Sequence, residues 1–131
     1  MIQPNRLRIY MLFILLAAFG VASTPAFGQN VELMEISNDQ AQQAAIRKPT
    51  PACSLVARQL KLDDRVGLNA YVGTDGAVYD TIVSFGNPIL VRSVEEAVKQ
   101  WRFKPFLSGG KPVKAIANLV FDLNCKPPKS R

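Results

Sequence analysis

Side chains that commonly carry out catalysis or bind metals are scarce in this sequence of 131 residues. It has no histidine, which is the commonest general base in enzymes and a frequent metal ligand. Asp63 and Asp64 are adjacent, and neighbouring acids before a strand are more typical of a solvated turn than of a catalytic pair. Gly109, Gly110 and Lys111 lack the glycine spacing and the following Ser or Thr of a phosphate-binding loop. We therefore predict no enzymatic activity, no catalytic residue, no cofactor and no metal site.

The N-terminus has the pattern of a secretory signal peptide. Arg6 and Arg8 precede an uncharged, mainly apolar run over residues 9–22, and Ala26 and Gly28 are the small residues that fit a cleavage site. The apolar run is shorter than the roughly 20 residues of a membrane span, so we predict cleavage after Gly28 and a periplasmic location. The alternative is an uncleaved signal that anchors the chain in the inner membrane.

Cys53 and Cys125 are the only two cysteines in the chain. Without histidine they are too few for a zinc site, which leaves a disulfide or a pair of free thiols. An even number of cysteines in an exported chain favours the disulfide. The bond would enclose residues 54–124, and closure of so long a loop stabilises by about 4 kcal/mol in the chain-entropy estimate. We predict a disulfide between these two cysteines.

Changes in composition divide the chain into four parts. The signal peptide, residues 1–28, is followed by a polar segment that ends in a proline-containing linker, residues 29–50. Residues 38–48 favour a helix but offer little apolar surface, so we expect this segment to be loosely attached. Residues 51–125 form one folded domain, and the tail, residues 126–131, is predicted to be disordered.

The charge of the chain argues against nucleic-acid binding. It has 16 Lys and Arg against 10 Asp and Glu, a formal net charge of +6 that falls by two if the signal with Arg6 and Arg8 is removed. The remaining excess is mild, the basic residues are scattered, and export separates the protein from nucleic acid. We therefore predict no nucleic-acid partner.

Three stretches are predicted to form strands, and two of them show period-two alternation. Apolar residues alternate with small or polar ones over residues 66–72, and a second strand is predicted over residues 77–85. Asp75-Gly76 between them is a strong signal for a tight hairpin turn. The third strand, residues 115–123, has the cleanest alternation, and its odd-numbered side chains are expected to face the core.

Two helices are predicted to position these strands. A short helix begins at the capping residue Ser54, and a longer one has its apolar side chains on a single face. That apolar set is Leu90, Val94, Ala97, Val98 and Trp101. We place the start of the longer helix near Leu90, in preference to the weak capping-box match at Ser93 and Glu96, and its end before Pro105. Trp101 at helical spacing is predicted to pack in the core rather than to form an exposed stacking surface.

The order of elements is helix, strand, strand, helix, strand, which predicts an α+β fold. A right-handed crossover from the second strand places the third strand beside the first. The expected architecture is a three-stranded antiparallel sheet of order 2-1-3 with two helices packed on one face. The two edges of this sheet are expected to be open, including the outer edge of residues 115–123.

Three features together resemble the TonB C-terminal domain family. They are the hairpin with Gly76-Ala77-Val78, the run Trp101-Arg102-Phe103-x-Pro105, and the closing strand that ends near Phe121. The resemblance covers roughly residues 51–123 and implies the same helix and strand arrangement. Family members that transduce energy lie in the periplasm and hold an extended segment of an outer-membrane receptor by adding it to their last strand.

The resemblance has departures that bear on function. The Tyr-Pro that often precedes the first helix in the family is replaced by Pro51-Ala52-Cys53, and the spacer after Gly28 is short. We therefore predict a periplasmic protein-interaction module that binds an extended peptide of a membrane or periplasmic partner by strand addition. An anchored energy transducer for transport through outer-membrane receptors is the alternative, and a homodimer through the free edges is left open. The predicted partner-binding edge comprises Ala115, Ile116, Ala117, Asn118, Leu119, Val120, Phe121, Asp122 and Leu123.

Overall fold

A computed structural model describes residues 20–23 and 33–130 of this protein. The predicted cleavage site at Ala26 and Gly28 and the basic residues Arg6 and Arg8 lie outside the described residues, so signal cleavage stays a prediction. Within the described residues, none of the helices is long and apolar enough to cross a membrane.

The secondary structure of residues 33–130 consists of short and long strands with helices between them. The strands are β1 Met34–Ile36, β2 Ala45–Arg47, β3 Asp63–Val72, β4 Val78–Phe85, β5 Arg102–Phe103, β6 Leu107–Ser108, β7 Lys111–Pro112 and β8 Ala115–Asn124. The helices are α1 Asn38–Ala44, α2 Leu55–Gln59 and α3 Pro88–Val98. The main sheet has the order β1-β8-β3-β4, and two small ribbons pair β2 with β5 and β6 with β7.

The three long strands pair antiparallel in the order β8-β3-β4, and alternate side chains of β3 and β8 face the core. Val66, Leu68, Ala70 and Val72 of β3 are buried and lie opposite core-side residues of β8 in the ladder. The hairpin between β3 and β4 turns at Gly76, whose φ of 82° suits glycine, and the Asp75 carboxylate accepts a hydrogen bond from the Ala77 N–H at 3.0 Å. All three helices contribute buried side chains to the core on this face: Ala41, Ala57, Leu90, Val94 and Val98.

The α+β class is as expected, but the predicted three-stranded sheet and two helices differ from the observed count. The sheet has four strands because β1 pairs in parallel with β8, and α1 is an additional helix beside it. The segment that was expected to be loosely attached contributes Ile36, 5% exposed, and the fully buried Ala41 to the core. The helix expected over residues 38–48 ends at Ala44, because the chain then extends into β2 and pairs with β5.

Trp101 lies in the core, as predicted, but beyond the end of α3. Its side chain is 2% exposed, and its ring meets Phe121 edge-on with 5.6 Å between centroids. The indole N–H donates to the Pro49 carbonyl at 3.1 Å. The helix ends at Val98 because the following residues turn into β5, where the Phe103 N–H donates to the Gly76 carbonyl at 2.9 Å.

The disulfide predicted between Cys53 and Cys125 is present, and it ties the start of the folded domain to its last strand. Their Cα atoms are 5.7 Å apart, and neither cysteine is free. The Cys125 N–H also donates to the Leu62 carbonyl at 2.7 Å. The covalent bond and this hydrogen bond together fix the two ends of the domain against each other.

Candidate functional site

The outer edge of β8 is the candidate site, and two hydrogen bonds identify its outward backbone groups. The Met34 N–H donates to the Lys114 carbonyl at 3.1 Å, and the Val120 N–H donates to Asn38 Oδ1 at 3.2 Å. Alternate residues of a strand direct their N–H and C=O groups to the same side, so the outward set has even numbers. These residues are Lys114, Ile116, Asn118, Val120 and Asp122.

The predicted edge residues form one continuous strand, but their side chains divide between the two faces of the sheet. Ala115, Ala117, Leu119 and Leu123 are buried and Phe121 packs on Trp101, so this set fills the core. The other four project from the opposite face: Ile116, Asn118, Val120 and Asp122. A partner that adds a strand here would therefore meet the backbone of β8 and this second set of side chains.

The expectation that this whole edge is open is wrong for its first part. Residues Met34, Glu35 and Ile36 of β1 pair in parallel with Ala115, Ile116 and Ala117. Further along, the Asn38 side chain accepts the hydrogen bond of Val120. The cause is that two of the three residues of β1 are apolar: Ile36 is buried and Met34 packs against the core, which brings the backbone of β1 against the edge.

Charge gives the edge of β8 little protection from other strands. Asp122 is its only charged side chain, and it forms an ion pair with Arg65 on β3 at 2.9 Å. Both side chains are largely exposed, so the pair contributes at most about 1 kcal/mol. Natural sheet edges commonly block further pairing with charges or proline, and neither device is present at the outward residues from Ile116 to Val120.

The opposite edge of the sheet, β4, offers a second surface for comparison. Within the described ranges no strand pairs with the outer side of β4. Its exposed apolar side chains are Tyr79, Ile82, Val83 and Phe85. Phe85 folds over Gly67 so closely that a Cβ there would overlap its ring, which explains the glycine in the middle of a buried strand. The β4 edge is thus more exposed than that of β8, and an experiment on binding must distinguish the two.

Met34–Ile36 and Asn38 contact the candidate site directly, a placement that was not predicted from the sequence. Ser37 begins α1 with a capping box, since its side chain accepts from the Gln40 N–H and the Gln40 side chain accepts from the Ser37 N–H. The Ser-x-x-Gln pattern is a recognisable helix start, and it could have shown that the residues before it end in a defined turn.

Comparison with known proteins identifies the family. A family model described as "Gram-negative bacterial TonB protein C-terminal" matches residues 49–123, more than half of the chain. The chain belongs to this TonB C-terminal family. The solution NMR structure of the Pseudomonas aeruginosa TonB CTD is similar with a TM-score of 0.54 and 30% sequence identity, covering 66% of this chain and 88% of that chain. Among curated proteins, none matches this sequence.

The TonB C-terminal family is one of protein-interaction modules that act in receptor transport, not one of enzymes. The matched residues contain α2, β3, β4, α3 and nearly all of β8. They do not contain β1 or α1, which end at Ile36 and Ala44. The strand that lies on the candidate edge therefore comes from outside the part of the chain that matches the TonB C-terminal family.

Proposed function

We propose that this TonB C-terminal-family protein captures an extended peptide segment of a membrane or periplasmic partner by strand addition at the outer edge of β8. The observation that carries the proposal is the row of outward backbone groups from Lys114 to Asp122, which already binds one extended segment, β1. A row of such groups on a sheet edge pairs with an added strand through main-chain hydrogen bonds. Family membership makes a segment of an outer-membrane receptor the first class of partner to test.

Amide hydrogen exchange tests this function directly. The probes are synthetic peptides that copy the periplasm-facing segments of outer-membrane receptors from the same bacterium. We expect a bound peptide to slow exchange at the outward amides of Val120 and Asp122, because a partner carbonyl replaces water or a side chain there. Protection that appears on β4 instead, with no change along β8, would contradict the proposal.

We also propose that the protein works in the periplasm after removal of residues 1–28. The basic start, the short apolar run and the small residues Ala26 and Gly28 support this location, and the Cys53–Cys125 disulfide suits an oxidising compartment. The intact mass of protein isolated from the periplasm should correspond to a chain that begins at Gln29. Recovery of the full-length chain in the membrane fraction would instead support the anchored transducer.

A further inference from the structure

The strand β1 is held on β8 in the manner of a bound peptide. It runs parallel to β8, and its Met34 N–H donates to the Lys114 carbonyl at 3.1 Å. On the outer face, the Asn118 side-chain amide donates to the Glu35 carboxylate at 3.0 Å. On the core face, Ile36 is 5% exposed and packs within the main core cluster. Backbone pairing, a polar contact and an apolar anchor thus act together over three residues.

The segment that follows β1 occupies the next position on the same edge. The chain turns at Ser37 into α1, and Asn38 Oδ1 accepts the hydrogen bond of the Val120 N–H at 3.2 Å. Four successive outward residues, the one just before β8 and three within it, are therefore engaged by one stretch of the protein's own chain, the last of them by a side chain. Those residues are Lys114, Ile116, Asn118 and Val120.

This occupation is short, and its outer side is open to solvent at Glu35, so a longer strand can replace it. β1 has only three residues, and Glu35 is exposed. An open groove of about 570 Å³ flanks it, lined by Leu33, Met34, Glu35, Ser108 and Val113. At Val120 the N–H now bonds to the Asn38 side chain, whereas an added strand that stayed extended would offer a backbone carbonyl there. Such a strand could also continue towards Asp122. A longer partner strand therefore forms more main-chain hydrogen bonds with β8 than β1 does.

We propose that Met34–Ile36 is an internal competitor for the capture edge, which a partner strand must displace in order to bind. This inference rests on the proposed function at β8. It also specifies the partner chemistry: an extended segment that runs parallel to β8, with an apolar side chain in place of Ile36 and a polar group facing Asn118. Because β1 is joined to the domain through a short stretch of chain, it competes at an effective concentration of roughly millimolar order.

A pair of variants at one residue of the full mature chain tests the competition. Met34→Pro removes the N–H that donates to Lys114, whereas Met34→Leu keeps this N–H and an apolar side chain of similar size. The probe is a synthetic peptide that copies residues 33–38, titrated while the amide signals of β8 are followed by NMR. We expect Met34→Pro to bind this peptide about tenfold more tightly than the natural chain, and Met34→Leu to bind it as the natural chain does.

A second release variant covers the case in which Met34→Pro leaves β1 paired. Ile36→Asp places a charge where the natural side chain is 5% exposed, and we expect it to expel β1 and to raise the affinity for the same peptide. A thermal melt establishes that each variant is folded. Faster exchange of the residue 36 amide, without any gain in peptide affinity at β8, would overturn the proposal.

Hydrogen exchange distinguishes a failure of the proposed displacement of β1 from a failure of the proposed capture by β8. With receptor peptides, the expected result is slower exchange at Val120 together with faster exchange at Met34 and Ile36. Slower exchange at Val120 with no change in β1 would leave the proposed function standing and refute the competition. Protection on β4 alone would refute capture by β8, and with it the competition that rests on it.

Discussion

Replacement of Trp101 by alanine is expected to lower the free energy of unfolding by roughly 3 to 5 kcal/mol, the range for truncation of a large core side chain. Trp101 is 2% exposed and packs against Phe121 and Phe103 with ring centroids 5.6 and 5.9 Å away. The substitution leaves a cavity and also removes the donor to the Pro49 carbonyl. Because that carbonyl lies in the segment before the domain, the substitution also removes one of the contacts that hold this segment on the core.

Chemical denaturation monitored by circular dichroism measures this effect, since the variant lacks the only tryptophan. Leu107→Ala is a suitable control, because Leu107 is 56% exposed and surface truncations change stability by about 0.5 kcal/mol or less. Trp101→Phe should lie between the two, because it keeps most of the ring volume and loses the hydrogen bond. A midpoint for Trp101→Ala equal to that of the Leu107 control would show that the side chain does not stabilise the core.

The elements that the sequence predicted well are those with long, regular patterns. β3, β4 and β8 each have eight or more residues. Period-two alternation is visible in β3 and β8, and Asp75-Gly76 marks the turn between β3 and β4. The start of α3 was less clear. It begins at Pro88 with Asn87 as its cap, whose Oδ1 accepts from the Ile89 N–H at 2.9 Å, and not at Ser93. Ser93 and Glu96 lie inside the helix and do not mark its start.

The elements that the sequence did not predict depend on contacts far along the chain. β1 has three residues, too few for any periodicity, and it forms a strand only because the edge of β8, about 80 residues away, is there to pair with it. The same holds for the end of α3, where the bond from Phe103 to Gly76 draws the chain out of the helix. In both cases tertiary pairing overrides local preference. A single sequence does not show which distant segments will pair.

The candidate site was suggested by resemblance and by topology, not by side chains that could do chemistry. Strand order predicted that β8 has an outer edge, and alternation predicted which side chains face the core. Neither could show that Met34–Ile36 and Asn38 lie on that edge. Their contact uses backbone groups and one short polar side chain, and these leave almost no compositional signal.

Neighbouring residues of β8 direct their N–H groups to opposite sides, one towards β3 and the next outward. We therefore predict opposite outcomes for proline at two neighbouring residues. Leu119→Pro removes an N–H that faces β3 and a buried side chain, so we expect the domain to be unfolded or severely destabilised. Val120→Pro removes an N–H that faces outward, where only the Asn38 side chain accepts it. We expect this variant to fold, with a modest loss of stability, because the ladder between β8 and β3 is intact. Thermal unfolding of the two variants measures the contrast.

The affinity of folded Val120→Pro for a captured receptor segment is the most direct test of strand addition at β8. We predict that binding weakens about tenfold or more, because one main-chain hydrogen bond is lost and the proline ring obstructs the incoming strand. Val120→Ala is the matched control, since it shortens the same side chain and keeps the N–H, and it should bind within about twofold of the natural chain. A folded Val120→Pro protein that binds the segment at full strength would show that capture takes place elsewhere.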